Sequence, residues 1–245
     1  MGKMHFSKRE VSGQVFFELA IDKGPSPVIF NTSTRTSEDL AAFCRAINID
    51  VNSVVQVEQV HGDTINHAKQ KDAGKTIPGC DALITAEALL PLAVRTADCQ
   101  ACFIFDPVSF SIGLAHAGWR GTTLGIAAKT LIKMGEHFDT RPKDCIIALS
   151  PAIGRCCFEV DALVKAPLEA SCPYWKEVLT AKKGGKWMLD LEKLNVLQLA
   201  KAGVLKDNII SAKRCTSCEN DIFYSFRKEG TPERMYSVAM LKEKR

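Results

Sequence analysis

The sequence predicts a layered α/β or α+β domain with mixed sheets. Three observations lead there. Short apolar runs bounded by turn residues recur along the chain, the signature of many short strands. Stretches with helical spacing are interspersed among them. Several runs follow one another with only a few residues between, which favours hairpins over a purely parallel sheet. No internal repeat, low-complexity tract or linker divides the 245 residues, so residues 1–245 are expected to form a single domain.

Taken in order, strands are expected at 14–21 (QVFFELAI), 53–60 (SVVQVEQV), 81–85 (DALIT) and 90–94 (LPLAV). Further strands are expected at 101–106 (ACFIFD), 111–117 (SIGLAHA), 145–150 (CIIALS), 208–213 (NIISAK), 222–226 (IFYSF) and 235–241 (MYSVAML). Thr36–Ser37 ahead of EDLAAFCRAI reads as a capped helix with acids in its first turn. From Thr122, the residues Leu124, Ala128, Leu131 and Ile132 fall on one helical face. Thr122 or Thr123 is the expected cap. A third helix is expected from about Leu189 to Gly203, with Gly203 as its stop.

Composition narrows the function classes. Hydrophobic residues make up 46% and charged residues 24%, an ordinary soluble balance. No apolar stretch is long enough to span a bilayer, and MGKMHFSKRE has neither a secretory signal's apolar run nor a myristoylation site. The net charge of +4 is mild, and the basic groups at AKKGGK and LKEKR read as a loop and a solvated tail. Nucleic-acid and membrane partners are therefore not expected. Ten cysteines without an export signal point to reduced thiols in the cytoplasm. Most read as small buried hydrophobes, Cys102 and Cys145 among them. Cys215 and Cys218 form one CxxC, half a zinc site, and are read as two structural thiols.

Of five histidines, His61 and His116 each end an apolar run and precede small residues. Asp98 and Cys99 stand at a junction between two such runs. Two imidazoles and one thiolate suit zinc, and three protein ligands leave a fourth position open, as catalytic sites do. His5, His67 and His137 lie in polar or terminal surroundings and read as surface residues. Arg120 directly precedes the helix expected from Thr122. It is either part of an anion site at that helix start or the partner of a structural carboxylate. Trp119 reads as a packing residue.

The motifs QVHG (Gln59–Gly62), DALIT (Asp81–Thr85), TADC (Thr96–Cys99), HAGWRGT (His116–Thr122), PAIGRCCFEV (Pro151–Val160) and FYSFRKEG (Phe223–Gly230) occur in that order. Through them the chain resembles the bacterial YfiH-like family, labelled polyphenol oxidase or multicopper laccase domain, from about residue 53 onward. The resemblance implies a zinc held by His61, Cys99 and His116, and an α/β/β/α sandwich. It implies phosphorolysis of adenosine, inosine, guanosine and methylthioadenosine, with adenosine deamination as a second activity. Asp81 and Arg227 fall within these motifs, Asn31 lies in FN (Phe30–Asn31), all that survives of a family SLN stretch, and the three join Arg120 as candidate substrate or phosphate contacts. This chain departs from the family at REVSGQ, at Ser150 and at TPERM, changes that bear on the substrate rim.

Five histidines cannot furnish the imidazoles of a four-copper oxidase, so zinc is preferred to copper. Phosphorolysis would pass through an oxocarbenium-like transition state. Asp98 is a candidate for proton transfer or for orienting a histidine. The H-x-E and P-C-x-x-C deaminase signature is absent. The alternatives are a Cys–His hydrolase or deamidase, with Cys99 as nucleophile and His116 as base, and a peptidoglycan-precursor editing role. The expected partners are a small-molecule nucleoside and phosphate, on a monomer or homodimer.

Overall fold

The computed structural model describes residues 4–22 and 26–244. Met1–Lys3 of the N-terminal reading and the last residue of the LKEKR tail lie outside them. The short apolar runs pair into sheets because each is too short to bury itself alone. A seven-stranded sheet runs in the order Met4–Val11, Gln14–Ile21, Val28–Ser33, Met235–Leu241, Leu92–Thr96, Val55–Val57, Thr76–Ile77. A six-stranded sheet runs Ile209–Ser211, Ile146–Leu149, Gln100–Asp106, Ser111–Ala117, Ala82–Thr85, Ile65–His67. Both are mixed: Val55–Val57 is parallel to both neighbours, and Ile65–His67 is parallel to Ala82–Thr85, while the central pairs are antiparallel.

Period-two alternation then decides the layers. On Gln100–Asp106, Ala101, Phe103 and Phe105 face the other sheet and meet Phe30, Leu92 and Val94. Phe30 and Phe103 stack there with centroids 5.0 Å apart, each burial worth about 2–3 kcal/mol. Cys102 and Ile104 point the other way, onto the helices Ile126–Phe138 and Leu191–Lys201. The outer face of the larger sheet is covered by the helix Leu40–Ala46 through Phe16, Phe43, Ala93 and Val238. The layers are therefore helix, sheet, sheet, helix, the mixed α/β class expected.

A third, small sheet, Glu159–Val160, Trp187–Leu189, Leu179–Ala181, packs with the helix Ala162–Ser171 over Ile153, Phe158 and Leu168. It has no counterpart among the sequence expectations, and neither does the strand Met4–Val11. The small sheet's strands, two or three residues each, carry too few residues to show a period, and Met4–Val11, though eight residues long, is a largely exposed strand without an apolar run.

Four expectations are corrected. The run at 222–226 is a turn: the Ile222 and Phe223 N–H groups both donate to the Glu219 carbonyl, and Phe223 is buried by packing against Phe17 and Met235. The first helix begins after Asp39, whose carboxylate accepts from the Ala42 N–H at 2.7 Å. Thr36 is already engaged as acceptor for the Val15 N–H. The strand expected at 53–60 keeps only Val55–Val57.

The helix expected from Thr122 is two helices. Trp119–Thr123 ends at Leu124, Gly125 takes a left-handed φ of +82°, and Ile126–Phe138 follows. That break re-phases the apolar face. Ile126, Ala127, Thr130, Leu131 and Met134 are buried, whereas Leu124 and Ile132 are exposed. The third helix falls as expected, capped by Asp190 and followed by Gly203 at φ +101°. No helix among the described residues is long and apolar enough to cross a membrane.

Candidate active site

Four strand-end segments converge at one end of the two sheets. The chain leaves Ser111–Ala117 at His116, enters Gln100–Asp106 just after Cys99, turns at His61 after Val55–Val57, and enters Ala82–Thr85 just after Asp81. His61 and Asp98 hold left-handed φ values of +59° and +83°, strain of the kind that gathers at functional sites.

One ligand atom each from His61, Cys99 and His116 lies within 4.8 Å of the other two. The rings of His61 and His116 meet edge to face with centroids 4.9 Å apart. Gly118 makes room for the cluster. A Cβ there would fall 2.8 Å from Cys99 Sγ and 3.6 Å from both imidazole rings. The donor set and this cleared space fit a tetrahedral metal ion with one position left over.

Asp81 organises the site from beneath. Its buried carboxylate accepts the N–H groups of Val60 (3.2 Å), His61 (3.0 Å) and Gly62 (2.7 Å). It also pairs with His116 Nδ1 at 2.8 Å, which leaves Nε2 free to ligate. Burial opposes its ionisation, but the His116 ring and the Gly62 and Val60 N–H groups hold its carboxyl below the ordinary value. Burial likewise opposes the charged forms of Cys99 and His116. Hydrogen bonds from the His116 and His61 rings nevertheless bring the Cys99 thiol down to about 6. Asp81 and Cys99 bring His116 up to about 9. Both shifts favour a thiolate–imidazolium pair in the metal-free arrangement.

The cluster opens into a cavity of about 790 Å³. Its walls include Trp119, Ile153, Phe158 and Leu191, and its rim carries Arg95, Arg120, Arg227 and Arg234. The rim carboxylate of Glu159 is held by Lys182 and Lys186, which bring it down to about 2.

The structure sorts the other site expectations. Arg120 lines the cavity with its guanidinium 4.4 Å over the Trp119 ring and no ion pair among the described residues. No carboxylate among the described residues pairs with it, and the helix starts earlier than expected: Arg120 does not precede a helix at Thr122 but is the second residue of the five-residue helix that begins after Gly118. Arg227 lines the cavity too, but one of its nitrogens donates to the Glu159 carbonyl at 2.6 Å.

Asp98 borders the cavity and makes no hydrogen bond to a histidine among the described residues. Its oxygens accept from Thr216 Oγ1 and the Arg227 N–H, each at 2.6 Å. The histidine-orienting carboxylate is Asp81, which lies under the cavity rather than in its wall and has four donors on its two oxygens. Asn31 is buried between Gln14–Ile21 and Met235–Leu241 and does not line the cavity.

His67 and His137 sit together away from the site, and His5 pairs with Asp22. Cys215 and Cys218 are not an isolated pair, since Cys156 and Cys157 stand beside them. The wall residues from Phe158 to Leu191 escaped the sequence reading. Only PAIGRCCFEV, which contains Phe158, Glu159 and Val160, marked the start of that region.

The family model described as multi-copper polyphenol oxidoreductase laccase matches residues 30–242. Purine nucleoside phosphorylase YlmD of Geobacillus stearothermophilus is 39% identical over 191 residues, 73% of this chain and 68% of that protein. A purine nucleoside phosphorylase of Clostridium acetobutylicum is 30% identical over 228 residues, 92% of each. The crystal structure of the Geobacillus YlmD matches with a TM-score of 0.88 at 30% identity, over 98% of this chain and 100% of that one.

Proposed function

The chain belongs to the multi-copper polyphenol oxidoreductase laccase family, and from that membership we propose that it is a zinc-dependent purine nucleoside phosphorylase. Its substrates are adenosine, inosine, guanosine and methylthioadenosine, residues 1–245 act as one catalytic unit, and the protein works in the cytoplasm. The observation that carries this reading is the His61–Cys99–His116 cluster at the base of a cavity with an aromatic wall and an arginine rim. The names of the curated relatives support it. Of the five histidines only two reach the cavity, too few for the imidazole-rich copper set that the family description suggests.

In the reaction the C1′–N glycosidic bond breaks, an oxygen of inorganic phosphate bonds to C1′, and the departing purine nitrogen takes a proton. The products are free purine and ribose 1-phosphate, or 5-methylthioribose 1-phosphate from methylthioadenosine. Trp119 and Phe158 offer apolar faces to the base. Arg120, stacked on Trp119 and free of carboxylates, is the phosphate-binding residue: its planar fork matches two phosphate oxygens. Asp81 is a positioning residue that fixes the His116 ring and the His61 turn. Asp98 holds the Arg227 backbone at the rim. His61, Cys99 and His116 would hold zinc, which would supply Lewis acidity when bound.

One observation favours a second reading. The lowered Cys99 thiol beside a raised His116, with Asp81 behind the histidine, is also the arrangement of a Cys–His hydrolase. Zinc on the thiolate would prevent that attack. The metal-loaded protein, incubated with adenosine with and without phosphate and followed by chromatography, separates the readings. Adenine that appears only with phosphate supports phosphorolysis. Inosine formed in both makes deamination the activity, and no product in either contradicts both nucleoside reactions.

A further inference from the structure

Beyond the cavity, two turns bring four cysteines together. Cys156 and Cys157 lie in the turn after Gly154, Cys215 forms the isolated parallel bridge with Ala152, and Cys218 lies in the turn that follows it. All four sulfurs lie within 4.8 Å of one another, and Cys218 Sγ is 3.4 Å from both Cys156 Sγ and Cys157 Sγ. None is in a disulfide. The geometry points to a second metal site: Cys156, Cys157, Cys215 and Cys218 form a closed four-thiolate zinc centre that pins the two turns together.

The distances suit that ion. Zinc–sulfur bonds of about 2.3 Å set the sulfur–sulfur edges of a tetrahedron near 3.8 Å, so closing the site requires movements of under about 1 Å from the observed spacings. The spacing also distinguishes the site from the first. Four protein sulfurs leave no open position, the mark of a structural rather than catalytic zinc. The backbone is already arranged for thiolates. The Gly154 N–H donates to Cys215 Sγ at 3.1 Å, and the pairing of amide N–H groups with sulfur stabilises its charged form. Gly154 leaves little room beside the cluster: a Cβ there would sit 3.1 Å from Cys156 Sγ and 3.3 Å from Cys215 Sγ, so the sulfurs would have to give by a few tenths of an ångström.

The place in the fold gives the centre a role. Little regular structure ties these turns to each other: the Thr216 N–H donates to the Ala152 carbonyl, and the Ala152 N–H to the Arg214 carbonyl. Both turns reach the first site. Thr216 Oγ1 holds Asp98 Oδ1 at 2.6 Å, and the Ile153 N–H holds the Asp98 carbonyl at 2.9 Å. Phe158 and Glu159, one and two residues after Cys157, form part of the cavity wall. A four-thiolate clamp would thus fix the wall and the Asp98 turn beside Cys99. Formation of the site converts four thiols and one zinc ion into a tetrathiolate with the loss of up to four protons.

The test is metal content by elemental analysis, with X-ray absorption on Cys99→Ala, which removes a ligand of the first site only. Wild type should hold two zinc ions per chain and Cys99→Ala one. The remaining zinc should show four sulfur neighbours at about 2.3 Å. The double variant Cys215→Ser/Cys218→Ser should lose one zinc and keep the other. If that variant does not fold, the absorption measurement on Cys99→Ala decides alone. No zinc in Cys99→Ala, nitrogen or oxygen neighbours in its spectrum, iron in place of zinc, or an intact mass showing a disulfide among the four would overturn the assignment. The count does not depend on nucleoside chemistry, so failure here leaves the phosphorylase reading standing, and the reverse holds.

Discussion

The Asp81 carboxylate pairs with His116 Nδ1 at 2.8 Å while it also receives the backbone N–H of His61. One buried group therefore sets the orientation of one proposed ligand ring and the turn that carries another. Replacing it removes charge from both relations at once. Asp81→Asn keeps the size, loses the anion, and should weaken zinc affinity about 10–100-fold in a chelator competition. It should also cost about 2–3 kcal/mol in a denaturant melt of the metal-free protein. Unchanged zinc affinity would show that His116 is held by something else.

Gly118 gives a steric test. A methyl group at this position would lie 2.8 Å from Cys99 Sγ. Gly118→Ala should lower zinc occupancy and phosphorolysis together, with a stability cost of about 1–3 kcal/mol. Full zinc occupancy by elemental analysis would mean that Cys99 can move aside without leaving the site.

The thiolate–imidazolium pair predicts a pH profile. With Cys99 at about 6 rather than its ordinary 9.0, the metal-free protein carries the reactive thiolate above that pH and loses it below. Alkylation of the Cys99 peptide by iodoacetate, read by mass spectrometry, should reach half its maximal rate near pH 6. Added zinc should suppress it across the range. A midpoint near 9 would mean that the two rings do not stabilise the thiolate.

Arg120 is the phosphate test. Because its guanidinium lies on Trp119 without an ion pair, Arg120→Ala should raise the phosphate KM about 10–100-fold, as expected for loss of charge-assisted hydrogen bonds. The nucleoside KM should change far less. Equal effects on both would place Arg120 on the base or ribose.

The sequence carried the layers well because the long strands at 101–106 and 111–117 each show a full apolar run. His61, Cys99 and His116 were legible as separate strand-end residues, although 38 and 17 positions separate them, since each combines a ligating side chain with an abrupt change to small or polar neighbours. Asp81 was misread as a substrate contact because its work is done toward the backbone of a turn twenty residues earlier, which no spacing reveals. The helix at Thr122 was misread because Gly125 divides it. Leu124 and Ile132 continue the helical period across a break that only the backbone shows. Cys215 and Cys218 looked like half a site because their neighbours come from a turn some sixty residues away, as Cys156 and Cys157, too close together to read as a CxxC.

The most direct test of the central claim is phosphorus NMR of the zinc-loaded protein with inosine and inorganic phosphate. Phosphate should convert to ribose 1-phosphate mole for mole with the hypoxanthine released. A chelator should stop the conversion, and zinc should restore it. Hypoxanthine released with free ribose while phosphate stays unchanged, or conversion that persists after the metal is removed, would contradict the account.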